Sequence, residues 1–182
     1  MIKTLKELIS YLKNPFLGES ENTNLNYRFG VFFYLLLICL ATGFLISPIF
    51  AILENLEFIN LENHAAEQMM KNFSKFEVII FGVFLAPLLE EAIFRAPLTA
   101  FKEPKYFKIA FYVFAILFGF VHLTNFEITR TILLLSPVLV LPQILLGFYL
   151  GFIRVKFGLL WSILLHASYN GILIGFSFLF ET

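Results

Sequence analysis

The chain has 182 residues, of which 59% are hydrophobic and 14% charged, with a formal net charge of zero. A soluble domain carries roughly 25% charged residues, so too little polar surface exists here to cover a water-facing globule. The neutral balance excludes an electrostatic nucleic-acid partner. All thirteen acidic residues are glutamates, which excludes chemistry that needs an aspartate pair, and the single cysteine, Cys39, excludes an intramolecular disulfide.

In chain order, Ile2, Leu5, Leu8, Leu12 and Phe16 recur at helical spacing with Lys3, Lys6 and Lys13 between them, the pattern of an amphipathic helix lying in a membrane interface. Residues 1–27 read as this cytoplasmic or interfacial segment, and 28–182 as a transmembrane bundle. A span needs about 20 apolar residues. Phe29 to Leu53 meets that length and has no cleavage signal behind it, so it reads as a retained helix. The polar stretch from Glu54 to Lys75 reads as an extramembrane loop, with His64 an ordinary surface residue on it. Four more spans follow: Phe76 to Leu98, Ile109 to Phe126, Thr131 to Ile153 and Phe157 to Phe180. The expected fold is therefore all-α, a polytopic membrane helical bundle of about five transmembrane helices plus the N-terminal amphipathic helix.

Ten of the thirteen Lys and Arg fall on one side of this path and three, Lys71, Lys75 and Arg130, on the other. That asymmetry orients the N-terminus toward the cytoplasm. Gly147 with Gly151, and Gly171 with Gly175, are small-residue pairs expected to pack the last two spans together.

Ionisable groups inside a span cost about 2.5–3.5 kcal/mol each on insertion scales, so each needs a reason. Five occur: Glu90, Glu91, Arg95, His122 and His166, with Asn170 one turn beyond His166 on its face. Glu91 and Arg95 have the i, i+4 spacing of an ion pair. Glu90, rotated by about 100°, lacks that partner and is left free for chemistry. Pro87, just upstream, removes a backbone donor and is expected to leave a carbonyl near the site for water. Glu90 and His122 lie about 16 residues on either side of the turn at Glu103 to Tyr106, roughly 24 Å, and so reach one depth. His166 and Asn170, counted from a turn near Lys156, arrive within a turn or two of it.

A carboxylate, two imidazoles and a carboxamide arriving near one depth offer a proton acceptor, a proton donor and hydrogen-bond donors. Aspartyl, HExxH zinc and Ser–His chemistries find no support: there is no Asp pair and no HExxH, and Ser177 has its nearest histidine eleven residues away on its own helix. Two histidines and a carboxylate (Glu90, His122, His166) are also a known zinc set. A metal-free arrangement is favoured because Asn170 suits an oxyanion better than zinc. A proton-coupled transporter would also use intramembrane Glu and His, but no internal repeat is evident.

Glu90-Glu91-Ala92-Ile93-Phe94-Arg95 reads as EExxxR, Phe118 to His122 as FxxxH, and His166 to Asn170 as HxxxN. In this order they resemble the motifs of the CPBP family, the CAAX-protease and bacteriocin-processing (Abi) intramembrane endopeptidases of bacteria, related to type II CAAX prenyl endopeptidases. The similarity covers roughly residues 76–178. It implies a helical membrane peptidase in which Glu90 and His122 activate water, His166 and Asn170 stabilise the oxyanion, and Glu91 and Arg95 support the first motif. It also implies a lipid bilayer environment and a peptide or protein substrate, with a divalent metal such as zinc the alternative cofactor state; Phe-, Ile-, Lys- and Asn-rich usage points to a bacterial cytoplasmic membrane. The competing function is a non-catalytic membrane partner, such as a bacteriocin self-immunity or scaffold protein, with the polar cluster serving as helix glue.

Overall fold

The computed structural model describes residues 1–180; Glu181 and Thr182, which close the expected 28–182 bundle, lie outside the described residues. Nine α-helices among the described residues run α1 (Ile2–Lys13), α2 (Leu25–Asn55), α3 (Ala65–Asn72), α4 (Lys75–Ile79), α5 (Ala86–Phe94), α6 (Pro104–Val121), α7 (Arg130–Leu139), α8 (Leu141–Phe157) and α9 (Leu159–Phe180), with no strand among them. Among the described residues, four segments are long and apolar enough to cross a membrane: Leu25–Asn55, Pro104–Asn125, Arg130–Phe157 and Leu159–Leu179. The polytopic helical bundle is therefore present.

The expected Phe76 to Leu98 span takes a different form. It is helical from Lys75 to Phe94, but Ile80–Leu85 between α4 and α5 is a π-helix, and the path leaves α geometry at Arg95. Pro87 supplies the reason. With no N–H to give and a ring that clashes with the preceding turn, it cannot continue an α register, and widening that turn accommodates it. A short 3-10 turn, Pro97–Ala100, then leads back to α6. The 16-residue depth estimate assumed α-helix on both sides of the turn, which residues 95–103 do not provide. The hairpin still brings Glu90 to His122, because these residues run beside α6: Phe94 packs on Phe118 and Phe101 on Phe114.

Helix α1 buries Thr4, Leu8 and Tyr11 and exposes Ile2, Leu5 and Ile9, so its apolar positions divide between protein and surroundings. Tyr112 donates to the Leu12 carbonyl, and Glu7 pairs with Lys156, which ties α1 to α6 and α8. Gly158, at φ +103°, makes the turn between α8 and α9 that a side chain would strain.

The glycines pack differently from the expectation. A Cβ on Gly147 would lie 3.1 Å from the Ala115 carbonyl, and one on Gly151 would meet the Phe111 ring, so this pair seats α8 against α6 rather than against α9. Gly171 faces Val83 of the π segment, and a Cβ on Gly175 would meet nothing within 4 Å.

The stretch after α2 folds back on the end of α6. Ile59 is buried with Leu123, Phe126, Ile132, Leu139 and Val140 in a second, smaller core. His64 is half-buried there: its Nδ1 accepts from the Ala66 N–H at the start of α3, and its ring meets Phe126 edge-on. Burial holds its imidazole below the ordinary value. It is a capping and packing residue rather than an ordinary surface one.

Candidate active site

Three helices bring the polar residues together. The last turn of α5 carries Glu90 and Glu91, with Arg95 at its C-cap; His122 opens the 3-10 turn that ends α6; α9 carries Ser162, His166 and Asn170 at i, i+4 and i+8 on one face.

Glu91 is the buried hub, with no side-chain exposure. Its Oε1 lies 3.3 Å from Arg95 Nη1 and accepts from His166 Nδ1 at 3.0 Å, while Ser162 Oγ donates to Oε2. The expected i, i+4 ion pair is formed. Arg95 stacks on the Phe118 ring 3.9 Å from its centroid, and its Nη2 donates to the Gly147 carbonyl. Burying such a charge is tolerable only because partners surround it. Arg154 holds the chain where α5 ends, donating from Nε to the Arg95 carbonyl and from Nη2 to Thr99 Oγ1.

Glu90 has none of these partners. Its side chain is 28% exposed, yet Oε2 is buried without a hydrogen bond, 3.9 Å from His122 Nε2 and 3.7 Å from His166 Nε2. Both distances exceed a hydrogen bond, so the carboxylate and two imidazole nitrogens surround a common point without satisfying one another.

The tautomers follow from the outer partners. His122 Nδ1 lies 2.8 Å from the Phe118 carbonyl, which can only accept, so Nδ1 carries the proton and Nε2 turns a lone pair toward Glu90. His166 Nδ1 likewise donates to the Glu91 carboxylate. If His166 also carries a proton on Nε2, then Glu90, Glu91, Arg95 and His166 sum to zero charge, the favourable total for a site largely removed from water. The cluster is more open on the Glu90 and His122 side, since His122 is 20% exposed and His166 only 3%.

Asn170 is placed by the π segment. Ala86, which in an α-helix would donate to Gly82, donates to Phe81 instead, and the residue after it is Pro87. The Gly82 carbonyl is left without a helical donor, and Asn170 Nδ2 takes it at 2.9 Å. The carbonyl expected to meet water is thus met by Asn170, which keeps one amide proton uncommitted.

Sequence reasoning missed Ser162, Gly82 and Arg154. Ser162 had a signal, the four-residue step from His166 along an otherwise apolar helix. Gly82 and Arg154 had none, because only the π register and the crossing of α8 with α5 give them roles.

The donor types here suit zinc: two imidazoles with engaged Nδ1 atoms, and a carboxylate. Their spacing does not, since among the described residues no group of three His, Cys or Glu side chains is gathered closely enough to hold a metal ion.

No curated protein and no solved structure matches the chain. The family described as type II CAAX prenyl endopeptidase Rce1-like matches residues 72–172, more than half of the chain and the whole of the cluster from Glu90 to Asn170. This match, on a helical membrane bundle whose three polar motifs meet in one cluster, identifies the chain as a member of the type II CAAX prenyl endopeptidase Rce1-like family.

Proposed function

We propose that the protein is an intramembrane endopeptidase that hydrolyses a peptide bond of a membrane-associated peptide or protein. The observation that carries this reading is the orphaned Oε2 of Glu90, buried between the Nε2 atoms of His122 and His166 at the more exposed end of the cluster.

A water molecule donating to Glu90 Oε2 and His122 Nε2 is oriented by two acceptors. Glu90 takes its proton as oxygen attacks the substrate carbonyl, and returns that proton to the departing amine. The negative charge that develops on the carbonyl oxygen meets His166 Nε2–H and the uncommitted N–H of Asn170. Glu91 holds His166 in the required orientation and, with Arg95, fixes the end of α5 against α8 and α9. Zinc, if bound, would be held by Glu90, His122 and His166 after a local approach of the three, and would supply Lewis-acid activation of water. We favour the metal-free arrangement because Asn170 and His166 serve an oxyanion directly. The lysine and arginine asymmetry supports an N-terminus in the cytoplasm, and the Phe-, Ile-, Lys- and Asn-rich usage supports a bacterial cytoplasmic membrane as the setting.

The test uses the purified full chain in lipid nanodiscs with fluorogenic membrane peptides, including one with a prenylated cysteine near its C-terminus. Cleavage is expected from the parent protein, retained in chelator, and lost in Glu90→Ala and His122→Ala. Cleavage surviving both substitutions overturns the reading. A folded Glu90→Gln variant that replaces the parent fully in cells, without cleaving anything, would favour the non-catalytic membrane partner. Loss in chelator with recovery on adding zinc favours the metal arrangement.

A further inference from the structure

Besides Glu90 Oε2 and Arg95 Nη1, one other buried side-chain atom among the described residues has no hydrogen-bond partner: Gln143 Oε1 on α8. A buried amide oxygen without a donor costs free energy, and such atoms tend to persist where a ligand completes them.

Its place on α8 is set by its neighbours. Gln143, Gly147, Leu150 and Arg154 fall at i, i+4, i+7 and i+11, one stripe of the helix. The other three touch the cluster: the Gly147 carbonyl accepts from Arg95, the Leu150 carbonyl lies 3.1 Å from Ser162 Oγ, and Arg154 holds the Arg95 carbonyl. Gln143 continues this stripe toward the end where Glu90 and His122 open. Its level follows from the helix pairing. Leu150 lies opposite Ser162, so seven residues along α8 and eight along α9 lead from that pair to Gln143 and Asn170, each about 10–12 Å on. On the other flank, a Cβ on Gly119 would meet Ile144, which puts Gln143 within a turn of His122.

We propose that Gln143 is a substrate-contacting residue of this site, its carboxamide pairing with a main-chain peptide group of the bound substrate beside the scissile bond. A carboxamide offers one acceptor and two donors, the complement of a peptide unit, so the contact holds any sequence equally and serves positioning rather than side-chain selection. The inference rests on the peptidase reading.

The test compares the parent protein with Gln143→Met, close in size but without hydrogen-bonding groups, and Gln143→Ala, in nanodiscs with the fluorogenic peptide that the parent cleaves. KM is expected to rise about three- to tenfold in both, the worth of one hydrogen bond. The melting temperature of Gln143→Met is expected to be unchanged or higher, because a buried orphan has gone. A peptide with an ester in place of the scissile-side amide N–H is expected to bind parent and Gln143→Met alike. Unchanged KM in both variants, or lowered melting in both with KM unaltered, overturns the assignment of Gln143 while leaving the peptidase reading standing. A folded parent protein that neither binds nor cleaves any of the peptides overturns the peptidase reading itself, and this inference with it.

Discussion

Glu90 and Glu91 are adjacent in the chain and have opposite surroundings. Glu91 is closed in by Arg95 at the end of its own helix and by Ser162 and His166 on α9, and both of its oxygens are satisfied. Glu90 stands at the open edge with a buried oxygen that nothing satisfies. One residue of helical rotation separates a group that holds the helices together from one that is free to react. The two glutamates of EExxxR therefore have distinct surroundings, the second built into the packing between helices and the first left with an unsatisfied oxygen at its edge.

The largest expected effect separates these roles directly. Glu90→Gln keeps the volume and removes the proposed base, so the cleavage rate is expected to fall by about 10²- to 10⁴-fold while thermal melting in detergent stays at or above that of the parent. Glu91→Gln is expected to act on the fold instead. It leaves the Arg95 charge buried without its counter-ion, at a cost of about 3–5 kcal/mol, read as a large drop in melting temperature. The reverse outcome, an unfolded Glu90→Gln and a stable Glu91→Gln, would break the comparison.

Ser162→Ala probes the closed half more gently. Removing one hydrogen bond to a buried carboxylate is expected to cost about 1.5–3 kcal/mol in chemical denaturation, and His166 should lose orientation with it. Gly147→Ala acts one step further out: the added methyl, 3.1 Å from the Ala115 carbonyl, must push α8 from α6 and with it the carbonyl that Arg95 uses. A destabilisation of about 1–3 kcal/mol is expected, with the cleavage rate falling less than in Glu90→Gln; an unchanged melting point would show that the closed half tolerates movement of α8.

Much of this is legible in the sequence. Helical spacing ties Glu91 to Arg95, and the ion pair between them is present at 3.3 Å. The same spacing leaves Glu90 apart, and places His166 and Asn170 on one face. Pro87 announces a disturbed helix, but not its kind: a π segment, whose freed carbonyl at Gly82 positions Asn170. The glycine pairs announce close packing, but not which helix approaches, since a small residue permits contact without selecting the partner.

By itself, then, the amino-acid order determined that the chain enters a bilayer as a helical bundle and which few polar residues it carries there. Composition, apolar run length and the 3.6-residue repeat act within one helix and need no partner to be read. The tertiary structure alone decided that Glu91 rather than the ion pair as such is the hub, that Ser162 and Arg154 belong to it, and that Glu90 meets both histidines. Those relations are set by how α5, α6, α8 and α9 cross, and crossings arise from side chains packing across helices far apart in sequence, where spacing along any one of them carries no information.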